Sequence, residues 1–251
     1  MTFLSQENYQ GAEEAFIKAI ETDLRSARSY FYLGKALNFQ GKTGDALKAF
    51  QKAIQINPGS GKVYNAIGCS LFEQGDYDEA IENFQKAIKI NSSKAETYYN
   101  LGCVYHEQGR YKEAAEAFTA AVQIDPEDGD AYFNLGSSLT NQGDFQQAAE
   151  AYKKAIQINP LNADNYLNLG NVLFSQKEYH EGFKAYLHCI RIDAKNANAY
   201  LNIGIGFMEQ RNYHEALENF QKYAILKPES RNSPQFLEFL KNFDKYYYSP
   251  F

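Results

Sequence analysis

Apolar and polar positions along this chain recur with two nested periods. The shorter one is helical: between Ala95 and Asp128, Tyr98, Leu101 and Tyr105 stand three and four residues apart, and Ala114, Phe118 and Ala121 do the same. Each set covers one face of an amphipathic helix. The longer period is 34 residues. With places numbered from Ala95, an aromatic falls at 4 and Leu-Gly at 7 and 8 (Leu101, Gly102). Tyr falls at 11, Gly at 15 (Gly109), Ala at 20, Phe at 24, Ala at 27 and Pro at 32 (Pro126). A shift of 34 in either direction returns the same skeleton. Such a period marks a stack in which each segment buries its apolar face against its neighbours.

The pattern predicts six complete repeats, 27–60, 61–94, 95–128, 129–162, 163–196 and 197–230, after a truncated one at 1–26. In the truncated repeat Ala12, Phe16 and Ala19 take places 20, 24 and 27, which predicts a second helix over Glu13 to Thr22 and a first helix reduced to Met1–Gln6. Place 4 is Tyr throughout (Tyr30, Tyr64, Tyr98, Tyr132, Tyr166, Tyr200) and place 8 is Gly throughout (Gly34, Gly68, Gly102, Gly136, Gly170, Gly204). A glycine inside a helix costs up to about 1 kcal/mol against alanine, so its recurrence implies close packing at each one. The tyrosines and leucines of the stripe are expected in the core. The last two repeats depart: Lys177 and Arg211 at place 15, Gly182 at 20, Cys189 and Tyr223 at 27. They predict looser repeats, with altered curvature or a different packing partner near Tyr223. Beyond Ser230, Ser233-Pro234 opens a helix carrying Phe236, Leu237, Leu240 and Phe243 at helical spacing. Residues 231–251 are thus expected to form a capping helix and the aromatic tail Tyr246–Phe251.

This 34-residue helix–turn–helix skeleton resembles the tetratricopeptide repeat (TPR). The resemblance implies an all-α fold: a right-handed TPR superhelix, or α-solenoid, whose first helices line a concave groove through places 2, 5, 6, 9, 12 and 13. Place 6 reads Tyr32, Ala66, Asn100, Asn134, Asn168 and Asn202. Four successive asparagines form a ladder similar to that in the superhelical TPR region of O-linked N-acetylglucosamine transferase. Asn offers donors and an acceptor, which suits the backbone of an extended peptide. The bland alternative is that place 6 tolerates a polar residue, or bonds within the array. Asn171 at place 9 joins the expected peptide-binding set, with Tyr99 and Phe133 at place 5 as walls for ligand side chains. Place 2 turns from Arg28 and Lys62 to Glu96, Asp130 and Asp164, and Glu73, Glu107 and Glu209 stand at place 13, a field suited to a ligand with a basic stretch. The Lys and Arg set by which related domains clamp a C-terminal carboxylate is missing, since place 5 is Phe31, Asn65, Tyr99, Phe133, Leu167 and Leu201.

Composition narrows the function classes. A net charge of −6 and a pI near 5.3 argue against a nucleic-acid partner, whose phosphates want clustered Lys and Arg. No apolar run approaches the roughly 20 residues of a membrane span, and the start lacks the layout of a secretory signal. Three scattered cysteines, Cys69, Cys103 and Cys189, suit a cytoplasmic or other reducing intracellular compartment. Cys69, Cys103 and His106 share the groove side, yet no fourth ligand is evident, so neither metal nor cofactor is expected. Asn91-Ser92-Ser93 matches a glycosylation sequon and reads better as a polar turn. No nucleophile, base and acid stand together. The expected function is a non-catalytic scaffold or adaptor holding a protein or peptide segment in the groove. Three rivals remain: a structural subunit of a large assembly bound through its convex face and tail, the substrate-recruiting part of a glycosyltransferase, and self-association through the tail.

Overall fold

The computed structural model describes residues 8–228, and among these there are thirteen α-helices and no strand. The first helix, α1 (Tyr9–Thr22), starts four residues before the expected Glu13 because Asn8 caps it: Asn8 Oδ1 accepts from Gly11 N at 2.9 Å. The Met1–Gln6 segment, the capping helix and the aromatic tail fall outside the described residues.

Two compact units follow the chain, Met1–Pro126 and Glu127–Phe251. In the first, α2 (Ala27–Phe39) packs on α3 (Thr43–Ile56), α4 (Gly61–Gln74) on α5 (Tyr77–Ile90), and α6 (Ala95–Glu107) on α7 (Tyr111–Ile124). In the second, α8 (Gly129–Gln142) packs on α9 (Phe145–Ile158), α10 (Ala163–Ser175) on α11 (Tyr179–Ile192), and α12 (Ala197–Glu209) on α13 (Tyr213–Leu226). Within a unit the second helix of each pair also lies against the first helix of the next, so the pairs stack as in a TPR solenoid.

Each pair carries a small core of its own. The ring at place 24 (Phe50, Phe84, Phe118, Tyr152, Tyr186, Phe220) is at most 2% exposed and packs against the place-8 glycine of the same pair. A methyl at Gly102 would sit 2.8 Å from Phe118, and one at Gly136 2.9 Å from Tyr152. That close approach explains the six glycines. Ala46, Ala80, Ala114, Ala148 and Ala216 at place 20 are fully buried. The tyrosines of place 4, expected in the core, are only half-buried. Tyr166 stacks on His188 with ring centres 5.3 Å apart, and Lys222 Nζ lies 5.5 Å from the centre of the Tyr200 ring. An amphipathic ring of this kind suits the edge of a core as well as its centre.

The turn inside each pair needs a left-handed residue at place 15. Gly41, Gly75, Gly109 and Gly143 supply it with φ between 71° and 85°. Lys177 and Arg211 adopt it too, at φ 65° and 60°. The closing hydrogen bond is kept in both cases: Glu178 N to Leu173 O and Asn212 N to Phe207 O at 2.8 Å, against 2.9 Å for Asp76 N to Leu71 O. These turns are strained but not loosened. The place-20 departure is likewise a repacking, because Gly182 makes room for Phe174. A methyl at Gly182 would lie 2.7 Å from Phe174 Cε2 and one at Gly206 2.6 Å from its Cζ, while the ring packs on Tyr179, Phe183 and Tyr186 at 5.0–5.3 Å. Tyr223 is buried at 7% exposure.

Between pairs, Asn57, Asn91 and Asp193 end their helices and accept from the backbone N–H two residues on, at 2.9–3.2 Å. Asn91 is thereby held in the polar turn, with Ser93 Oγ donating to it as well at 2.7 Å.

Candidate functional site: the first-helix face

The first helices of each unit present their place-6 and place-9 side chains on one face, and all four ladder asparagines are half-buried there. In the first unit Asn100 on α6 reaches back to α4. Its Nδ2 lies 3.4 Å from Asn65 Oδ1 and 3.3 Å from Cys69 Sγ, while Asn65 Nδ2 stands 3.5 Å from Glu96 Oε1. In the second unit Asn202 on α12 reaches back to α10 in the same register, its Nδ2 donating to Asn171 Oδ1 at 2.7 Å. Asn168 Nδ2 donates within its own helix to Asp164 O at 3.0 Å. Asn134 holds the matching place on α8. Asn100 and Asn202 therefore bond between helix pairs.

The other expected residues divide by role. Tyr99 and Phe133 are half-buried and pack edge-on against the place-24 ring of their own pairs, Tyr99 on Phe118 at 5.7 Å and Phe133 on Tyr152 at 5.8 Å. Glu96, Asp130 and Asp164 are exposed in the first turns of α6, α8 and α10. Their negative charge favours those helix N-termini as well as any basic ligand.

Two contributions escaped the sequence reading. Place 24 is Tyr instead of Phe in two pairs, and those hydroxyls reach the ladder face: Tyr186 Oη donates to Asn171 Oδ1 at 2.9 Å, and Tyr152 bonds Ser137 and Thr140. Burial pushes both phenols above their ordinary pKa, offset in part by hydrogen bonds with Thr140 and Ser137 at Tyr152 and with Asn202 at Tyr186. Place 14 is Gln in all six repeats (Gln40, Gln74, Gln108, Gln142, Gln176, Gln210). Gln108 reaches Asp78 at 3.0 Å, Gln176 reaches Gln146 at 3.1 Å and Gln40 reaches Glu13 at 2.9 Å, each tying a first helix to the second helix before it. Both signals stood in the sequence, as a Phe-to-Tyr alternation and as an invariant polar place.

Cys69 lies on this face with its thiol pushed up to about 12, first by burial and then by the charges of Glu96 and Glu73. It is a protonated neighbour for Asn100, not a nucleophile. Among the described residues no group of three or more His, Cys, Asp or Glu is placed to hold a metal ion, and no helix is long and apolar enough to cross a membrane. Away from the ladder, α3, α4 and α5 line an open depression of about 420 Å³, with Leu47, Ile54, Ile67 and Leu71 beside the polar Gln51 and Asn83.

Comparison with known proteins places this geometry. Models of the tetratricopeptide repeat match residues 1–61, 49–82, 95–128, 117–150 and 163–196, and a TPR repeat model matches 68–109 and 136–177. No curated protein matches. Among solved structures, MamA is 30% identical over 65% of this chain and 96% of its own, with a TM-score of 0.63. YrrB, described as a TPR protein with an unusual peptide-binding site, is 24% identical over 74% of this chain and 96% of its own, with a TM-score of 0.68. PilF of Pseudomonas aeruginosa is 23% identical over 94% of this chain and 99% of its own, with a TM-score of 0.67. The last two likenesses speak for the fold alone. Helix pairs opening every 34 residues from Ala27 to Ala197, each with a ring on its glycine, agree with models that run unbroken from residue 1 to 196: the chain belongs to the tetratricopeptide repeat family.

Proposed function

We propose that this chain is a non-catalytic interaction scaffold that holds an extended segment of a partner protein against its first-helix face. The family's repeats generally serve as interaction scaffolds; the peptide site is our reading. One observation carries it: Asn134, Asn168 and Asn202 recur at the same place on α8, α10 and α12, half-buried, with the exposed carboxylates of Asp130 and Asp164 beside them. Half-buried amides can bond a backbone, and carboxylates at the edge favour a basic stretch in the ligand. Asn100 and Glu96 offer the same chemistry in the first unit.

Cross-linking followed by mass spectrometry tests this, comparing the wild type with the triple variant Asn134, Asn168 and Asn202→Ala, both checked by circular dichroism. Partner cross-links on α8, α10 and α12 that vanish in the variant support the site. Partners held equally by both proteins, with cross-links on second helices or near the α3–α5 depression, would replace it with contact through the opposite face.

A further inference from the structure

We infer that the open depression lined by α3, α4 and α5 is a second docking site, apart from the ladder, and that it takes a tyrosine side chain accompanied by an arginine from a partner protein. The neighbouring helix pair shows what such an occupant would do. On α6, Tyr105 at place 11 reaches across to α5, where its Oη lies 3.4 Å from Gln85 Nε2, and the residue is only 8% exposed. Arg110 stands over the ring, its Cζ 4.4 Å from the ring centre, and pairs with Glu113 at 2.9 Å. A ring makes the same crossing in the second unit, where Phe207 on α12 meets Phe183 on α11 with centres 4.7 Å apart. At both places an aromatic side chain closes the seam between a first helix and the second helix before it.

One period earlier the receiving half of this arrangement is kept and the occupying half is not. Gln51 and Glu79 stand where Gln85 and Glu113 stand, whereas Leu71 replaces Tyr105 and Asp76 replaces Arg110. With the shorter Leu71 the seam stays open as the depression of about 420 Å³, whose apolar lining is Leu47, Ile54, Ile67 and Leu71. Gln51 borders it exposed and without a hydrogen-bond partner among the described residues. Asp76 and Glu79 are exposed too, and neither forms an ion pair among the described residues. Two unopposed carboxylates beside an apolar hollow call for a cation next to a ring. The Gln51 amide calls for a ring that carries a hydroxyl, which tyrosine supplies and phenylalanine does not. Arginine is the fitting cation, because its guanidinium can lie on a ring and bond a carboxylate at once, as Arg110 does.

The test uses the full chain with isotope-labelled Leu and Ile methyl groups, titrated in NMR with the capped tetrapeptide Gly-Tyr-Arg-Gly. Saturable upfield shifts of the Leu47, Ile54 and Ile67 methyls are expected, because a ring seated over them shields them. Gly-Phe-Arg-Gly, which lacks the hydroxyl, should bind about threefold more weakly. Gly-Tyr-Glu-Gly, with the charge reversed, should bind about two- to fivefold more weakly. Gln51→Ala should bring the affinity for the tyrosine peptide down to that for the phenylalanine peptide. The double variant Leu71→Tyr and Asp76→Arg rebuilds the neighbouring arrangement within this pair. It should melt at or above the wild-type temperature and no longer take the peptide. Absence of shifts at these methyls, or equal affinity for the three peptides, overturns the inference, and so does full binding by a folded double variant. Methyl shifts that appear when the chain alone is concentrated put a second copy in the depression and overturn its assignment to a separate partner. Asn134, Asn168 and Asn202 play no part in this titration, so either result leaves the ladder reading as it was.

Discussion

At the scale of single residues, the place-8 glycines and the left-handed turn residues exert opposite pressures on the sequence. Gly102 is required by what lies above it, so Gly102→Ala is expected to destabilise the protein. Overpacking against Phe118 costs about 1–3 kcal/mol, which outweighs the alanine's gain in helix propensity, and urea unfolding would measure the difference. At Lys177 the requirement comes from the backbone alone. Lys177→Gly is expected to stabilise by about 0.5–1 kcal/mol, the strain relieved exceeding the entropy lost, and a raised melting temperature is the check. The Cys69 thiol gives a third expectation. Its pKa is raised, so at a given pH it holds less thiolate than a free cysteine. Alkylation of Cys69 by iodoacetamide should therefore be slow at pH 8 and keep accelerating as the pH climbs towards about 12, where a free thiol has long levelled off.

At the scale of elements, the group formed by α10, α11 and α12 shows how departures from a pattern compensate one another. Gly182 breaks the alanine rule of place 20, and Phe174 occupies the space that results. Restoring the rule with Gly182→Ala is expected to destabilise by about 1–3 kcal/mol, although alanine is the better helix former and stands at this place in the other pairs. Thermal unfolding decides it; a more stable variant would show that Phe174 can move aside at little cost. The same group marks the limit of what the sequence disclosed. The helices, their turns and the buried places 20, 24 and 27 follow from periodicity, because burial on one helix face dictates residue type directly. The half-burial of the place-4 tyrosines did not follow, since a ring serves equally well in a core or at its edge. The hydrogen bonds of Asn100 and Asn202 were hidden for another reason: they join residues 31 apart across two helices, and composition at one place cannot reveal what the neighbouring place offers.

At the scale of the whole chain, each pair holds its own ring-on-glycine contact and meets only its neighbours within a unit, so stability should build up pair by pair. Gly102→Ala and Gly182→Ala perturb different compact units and share no ring. Their double variant is expected to lose the sum of the single losses to within about 0.5 kcal/mol. A larger discrepancy in denaturant titration would mean that strain in one unit is felt in the other.

The ring-on-glycine contact also bears on how such a chain can change its length. Glycine and ring lie sixteen residues apart inside one pair, as Gly102 and Phe118 do, so both are gained or lost together when a 34-residue block is copied or excised. It matters little where the cut falls, since the block that rejoins supplies an equivalent partner. A block of any other length would strand a glycine beneath no ring, or a ring above no glycine. Recombination is thereby limited to whole periods, and the chain can be lengthened or shortened without its interior being redesigned.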